Sequence, residues 1–376
     1  MMASDSSPVD WLRLIRSENV GPKTFYALLD RFGSPTKALA KLPDLAGKGG
    51  KRRIKVCTKA VAEQELKAIT DFGARLITRA DADYPALLAH IDDAPPVLTL
   101  LGDAALLQKP TVAIVGARNA SLNGRKLAHQ IAQELGAAGY VVASGLARGI
   151  DRAAHVGALK TGTIAVVAGG IDRVYPKENQ DLYDEMRTQG LIISEVPFGE
   201  APIARHFPKR NRIVAGLSLG TLVVEAADRS GSLITARMAG EQNREVFAVP
   251  GSPLDERARG SNKLLKQGVQ LVESAEDIIQ ALPDPARLPL SEPDNPFLNA
   301  PPPDDPDERE LAPLRDNMMD LLGPTPIDID ELVRALEAPS QHIAVLLLEL
   351  DLAGKLAREP GGKVALSEPE NEGLTF

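Results

Sequence analysis

Val112-Ala113-Ile114-Val115-Gly116-Ala117-Arg118-Asn119 begins as an unbroken apolar run and closes on a glycine and a cation. A short apolar run without alternation fits a strand covered on both faces. A helical pattern follows over residues 122–138, so the turn lies between a strand and a helix N-terminus. Such a terminus offers unpaired N–H groups to an anion, and glycine lets backbone approach a ligand closely. Arg118 adds a planar fork suited to a phosphate.

The same pattern repeats on either side. Strands are predicted over 140–143, 164–167, 191–193, 221–225, 245–249 and 269–272, with a further one over 97–101. Helices are predicted between them, over 151–160, 178–188, 209–215, 233–242, 262–267 and 275–282. This alternation predicts an α/β fold, a Rossmann-like doubly wound and mostly parallel sheet. Ligands of such sheets lie at the carboxyl ends of the strands, which directs attention to the loops there.

Those loops carry chemistry. Ser144-Gly145-Leu146-Ala147-Arg148-Gly149-Ile150-Asp151 places two glycines and an arginine in one turn, with Asp151 as the expected helix N-cap. Gly145 is read, with Gly116, as a point of close ligand approach. Gly169 to Lys177 follows the next strand, and Lys177 stands near a helix start, where a cation is unfavourable without an anion. His206-Phe207-Pro208-Lys209-Arg210-Asn211-Arg212 gathers three Lys and Arg cations and a ring within seven residues. Phosphates on Arg210 and Arg212, with a base on Phe207, would satisfy both. Ser230-Gly231-Ser232 forms a further anion nest at a helix start. This reading requires the guanidiniums of Arg118 and Arg210 to share one side of the molecule.

Flanking segments differ in character. Residues 1–75 read as a small helical domain, with helices over 11–15, 23–32, 35–41 and 58–70. Residues 76–282 form the sheet domain. Residues 283–310 read as an extended linker, because nine of the 24 residues from Pro283 to Pro306 are proline. Residues 311–370 predict three helices (314–322, 329–336, 340–352) and a hairpin turning at Gly361-Gly362, a winged-helix pattern.

The net charge of −8 is misleading. Residues 1–108 carry +2 and residues 109–282 carry +3, whereas residues 283–376 carry −13. The acidity is confined to the last quarter, so bulk charge does not argue against a polyanionic partner. No P-loop and no G-x-G-x-x-G fingerprint is present, which disfavours a Walker ATPase and a dinucleotide dehydrogenase. The five histidines have no metal-ligand spacing, and no metal or other cofactor is expected. A single cysteine excludes an intramolecular disulfide, and no apolar run reaches membrane-spanning length, so a cytoplasmic protein is expected.

Taken together, Val115–Arg118, Ser144–Asp151, Gly169–Pro176, Ser194–Pro197, Phe207–Ser218, Val223–Ala236 and Ala248–Gly251 resemble the DprA/Smf family. Val20-Gly21-Pro22 with Leu28–Gly33 is similar to that family's helix-hairpin-helix or SAM-like domain, and the C-terminal module resembles its winged helix. The resemblance implies single-stranded DNA bound by the sheet loops, dimerisation through the sheet domain and loading of RecA during natural transformation, without enzymatic turnover. By motif it implies phosphate contacts from Arg118, Lys177, Arg210 and Arg212, stacking on Phe207, close approach at Gly116 and Gly145, and a pocket completed by Ser230, Gly231 and Ser232. Ala117 departs from the family's more frequent serine and forgoes one hydroxyl contact.

An enzymatic alternative rests on the stretch from Gly220-Thr221 to Glu225. The sheet is distantly similar to nucleotide phosphoribohydrolases of the lysine-decarboxylase-like group, which use an arginine and a glutamate. Helix 340–352 contains no Lys or Arg and carries Glu349 and Asp351. That composition disfavours major-groove reading and points to a protein contact.

Overall fold

The computed structural model describes residues 7–50, 54–283, 306–359 and 361–367. The chain divides into two compact units: Met1–Glu63 with Asn295–Phe376, and Gln64–Asp294. Most of the stretch read as a linker lies outside the described residues.

The chain opens with three helices, each entered through a proline in its first turn: α1 (Pro8–Ile15), α2 (Pro22–Phe32) and α3 (Pro35–Gly49). Proline suits that position, where its missing N–H would have no helical partner. Ser7 and Ser34 cap α1 and α3 by accepting N–H bonds from Asp10 and Lys37. Gly33, at φ 75°, ends α2 in the left-handed region. Helix α3 runs eight residues past the predicted end, through Pro43. The apolar face continues over Leu42, Leu45 and Ala46, all buried, and that packing outweighs the proline. The division between units falls inside α4 (Lys59–Asp71).

The second unit is built on one sheet. Its strands are β1 (Arg75–Thr78), β2 (Val97–Gly102), β3 (Thr111–Val115), β4 (Val141–Ser144), β5 (Thr163–Val166), β6 (Leu191–Ser194), β7 (Gly220–Val223), β8 (Glu245–Ala248) and β9 (Gln270–Leu271). Its helices are α5 (Ala86–Ala89), α6 (Leu122–Ala137), α7 (Ile150–Ala158), α8 (Gln180–Gln189), α9 (His206–Gly216), α10 (Gly231–Glu241), α11 (Arg259–Lys266) and α12 (Ala275–Ala281). The strand order is β1-β2-β6-β5-β4-β3-β7-β8-β9. From β6 to β9 every pairing is parallel, and β2 and β1 extend the sheet antiparallel beyond β6. Rossmann-like topology is therefore present, with its reversal of strand order at β3 and β7. Strand β1 was not predicted; its four residues, Arg75 to Thr78, go from exposed to buried and show little periodicity.

Apolar layers cover both faces. One joins Ile114, Ile131, Leu135, Val142 and Phe247; the other joins Val167, Leu182, Tyr183, Met186 and Ile192. Burial on both faces explains why these strands read as continuous apolar runs.

The C-terminal residues of the first unit form α13 (Glu308–Leu321), β10 (Ile327–Asp328), α14 (Ile329–Leu336), α15 (Ser340–Leu352), β11 (Leu356–Glu359) and β12 (Lys363–Leu366). Three helices and the sheet β10-β12-β11 enclose a core of Leu311, Met318, Leu332, Ile343, Leu346 and Val364, the winged-helix arrangement. Helix α13 starts at Glu308, inside the stretch expected to be linker, with Asp307 as its N-cap.

Candidate nucleic-acid interface

Two adjoining cavities, of about 420 and 540 Å³, open at the carboxyl ends of β3, β4, β5 and β7. Both are lined by Arg118, Gly145, Ala147, Phe207 and Arg210. The two arginines whose separation would have removed the sequence argument therefore share one concavity.

Arg210 forms its floor. The side chain is 6% exposed and its Nη1 donates to Val166 O at 3.0 Å. Its Nε has no hydrogen-bond partner. Burial lowers the guanidinium's pKa; Asp151 opposes that shift and Arg118 adds to it. Two cations lining one concavity, one of them largely buried, favour an anion between them.

Gly145 explains how Arg210 reaches this place. A Cβ at 145 would lie 1.4 Å from Arg210 Nη1. Gly116 has a similar reason, since its Cβ would lie 2.6 Å from Ile150 Cγ1. Both glycines border the second cavity, and packing within the protein is by itself a reason for glycine at each.

Asp151 is not the N-cap. Gly149 holds that position at φ 78°, where a side chain would strike Ala117 O and Arg118 O. The buried Asp151 carboxylate instead accepts N–H bonds from Gly145 (3.1 Å) and Ala147 (3.3 Å), tying the β4 loop down. Burial raises its pKa, and Arg210 and the two N–H bonds oppose that rise. Asn179 holds the same loop by donating to Leu146 O at 2.8 Å and Ala147 O at 3.2 Å.

His155 locks the loop from beneath. Its Nδ1 donates to Thr163 Oγ1 at 2.7 Å, and its Nε2 accepts from Leu146 N–H at 3.3 Å, which assigns the neutral tautomer. Burial, then Arg210, lowers its pKa to about 3. The unfolded chain thus binds a proton between pH 6.5 and 3 that the folded chain does not, and stability falls as pH drops through that window. We expect His155→Gln to flatten the dependence of unfolding free energy on pH between 6.5 and 4. The limiting wild-type contribution is about 1.4 kcal/mol per pH unit. Denaturant titrations across that range check it, and identical slopes in the two proteins contradict it.

Phe207 is half-buried between two neighbours. The Arg118 guanidinium lies 5.3 Å from its ring centroid and the Tyr175 ring stands edge-on at 5.5 Å. Lys177 lines the first cavity with Arg148 and Arg173. Ser230, Gly231 and Ser232 line the second, where Ser230 caps α10 and bonds Ser232 Oγ at 2.7 Å. The N-terminus of α10 thus meets the cavity.

Arg212 is the exception among the predicted contacts. It is 6% exposed, paired with Glu195 and with Asp93 (3.4 Å), and lines neither cavity. Two residues on from Arg210, it leaves α9 in a different direction. Its charge is answered inside the protein.

Arg229 and Arg257 in the second cavity, and Arg148, Arg173 and Tyr175 in the first, are not among the contacts expected from the sequence. Arg229 precedes the Ser230 nest and was within reach; Arg257 lies far along the chain with no motif around it. Glu225, the residue behind the enzymatic alternative, accepts from Ser121 N–H at 2.9 Å and Ser121 Oγ at 2.5 Å. Its carboxylate also fills the space where a side chain at Gly124 would sit. This engages Glu225 at the start of α6. Among the described residues no group of His, Cys, Asp and Glu has metal-holding geometry, and no helix is long and apolar enough to cross a membrane.

Fold and site together define a Rossmann-like protein with a cation-lined groove at its strand ends, flanked in sequence by helical and winged-helix modules. Residues 75–283 match the family model for DNA recombination-mediator protein A, residues 5–68 a DprA-like N-terminal HHH domain and residues 301–362 a DprA winged helix domain. The chain belongs to the DprA/Smf family. It is 44% identical to DNA processing protein DprA of Bacillus subtilis, covering 58% of this chain and 75% of that one. Protein Smf of Escherichia coli is 38% identical over 76% of each chain. The X-ray structure of DNA processing protein A from Streptococcus pneumoniae matches 73% of this chain and 96% of its own at 37% identity and TM-score 0.61. The Helicobacter pylori protein, whose structure concerns its single-stranded DNA binding mode, matches 55% of this chain and 94% of its own at 30% identity and TM-score 0.51.

Proposed function

We propose that the groove holds a single nucleic-acid strand, with phosphates on Arg118, Lys177 and Arg210 and at the Ser230–Ser232 helix start, and a base against the Phe207–Tyr175 pair. The observation that carries this reading is Arg210, a largely buried cation that lines both cavities together with the Arg118 cation. Phosphate answers the charge. An aromatic pair accepts any base face, and an open groove suits unpaired nucleotides better than a stiff duplex. The H. pylori relative's single-stranded DNA binding supports the same ligand.

Phe207→Ala should lose about 1–3 kcal/mol of oligonucleotide binding through stacking, leaving the salt dependence nearly intact. Fluorescence anisotropy with a labelled oligonucleotide measures both. An unchanged affinity would show that no base rests on this ring.

Family membership supports a wider reading. We infer a non-enzymatic, cytoplasmic protein that dimerises through its sheet domain and helps load RecA onto single strands during natural transformation. A shortened lag in RecA nucleation on protein-coated single strands supports loading; an unchanged lag opposes it. The phosphoribohydrolase alternative loses its support because Glu225 is engaged at the start of α6. Base released from a nucleoside monophosphate, and lost in Glu225→Gln, would revive it.

A further inference from the structure

Within the first unit, α15 is covered over all but its first turn or so. Residues Val345 to Leu350 are buried without interruption, including Glu349 at 1% exposure. Ile343, Leu346, Leu347 and Leu350 belong to the winged-helix core. The rest of the helix packs on α3 and α2, at the other end of the sequence.

The contact is close and specific. A side chain at Gly49 of α3 would lie 2.1 Å from Glu349 O, so the two helix backbones touch there. Asn19 Nδ2 donates to Leu352 O at 3.0 Å. Asp351, held by Arg358 at 2.7 Å, accepts from Thr24 Oγ1 at 3.5 Å. A chain of charges closes the rim: Lys48 pairs with Glu308 (2.6 Å), Glu308 with Arg315 (2.9 Å), and Arg315 with the buried Glu349 (2.8 Å).

A winged helix that reads duplex DNA must present one face of its third helix to the groove, with cations beside it. Here Gln341 and Ala344 are exposed near the start of α15, and no Lys or Arg lies on the helix. We propose that the winged-helix module is an intramolecular clasp: α15 is the partner helix of the N-terminal helical domain, and α1–α3 and the winged-helix module form one closed unit in which α15 is withheld from duplex DNA. The acidic, apolar composition of α15 is then that of a core helix with a buried ion pair. Its unmet partner is not a nucleic acid but α3.

An engineered disulfide tests this in the full chain. A Cβ at Gly50 would lie 3.3 Å from Ala353 Cβ, within a few tenths of the spacing of about 3.8 Å that a disulfide adopts. Gly50 is in extended backbone at φ −171°, which any residue accepts. On a Cys57→Ser background, Gly50→Cys with Ala353→Cys should oxidise to an intrachain bridge, read on a non-reducing gel. Affinities for single-stranded and duplex oligonucleotides should stay within about twofold of the reduced protein. Absence of the bridge, or a bridge only between chains, overturns the clasp. A bridge that abolishes duplex binding shows instead that α15 must leave α3 to read DNA, and overturns it equally.

Discussion

Alanine at Gly145 is expected to lower single-strand affinity on the order of a hundredfold, about 2.7 kcal/mol, although no atom is removed from the groove. The added Cβ would sit 1.4 Å from Arg210 Nη1, and the guanidinium cannot stay. Its bond to Val166 O would break, and the guanidinium would leave the place from which it lines both cavities. Charge-assisted hydrogen bonds contribute about 1.5–3 kcal/mol each, so losing Arg210 as a phosphate partner accounts for most of the effect. Overpacking of the core adds a stability cost of about 1–3 kcal/mol. Anisotropy titration and denaturant melts of the same preparation separate the two. A Gly145→Ala protein that binds like wild type would mean that Arg210 does not take part.

Arg118→Ala is expected to weaken binding about ten- to a hundredfold by the same charge-assisted magnitude. Arg118 borders both cavities and covers Phe207, so its removal costs a phosphate contact and leaves the ring less fixed. One phosphate contact fewer should also lower the slope of log affinity against log salt by about 0.7 for a single strand. An affinity loss with an unchanged slope would assign Arg118 to holding the ring, without a phosphate.

Much of this was legible in the sequence because burial leaves a periodic mark. Strands covered on both faces, such as Thr111–Val115 and Leu191–Ser194, read as apolar runs and were placed to within a residue or two. The loops stood out through residue types that their geometry needs, among them Gly149 at positive φ and the cation cluster before β7. What failed was direction. Arg210 and Arg212 are indistinguishable by composition, yet one floors the groove and the other is buried against Glu195 and Asp93. Gly145 was legible as a special position, but not as a notch for an arginine 65 positions away. Arg257 comes to the groove through tertiary structure alone, and no local pattern marks it. The partner of α15 was equally hidden: its composition disfavoured a groove-reading helix, but nothing local pointed to α3.

Paired titrations of one labelled oligonucleotide, single-stranded and annealed, at several salt concentrations test the central claim most directly. A groove built from Arg118, Lys177, Arg210 and the Ser230–Ser232 helix start predicts tighter binding to the unpaired strand. It also predicts a log–log salt slope steeper than about −2, as three or more neutralised phosphates require. Equal affinity for the duplex, or binding indifferent to salt, would contradict it.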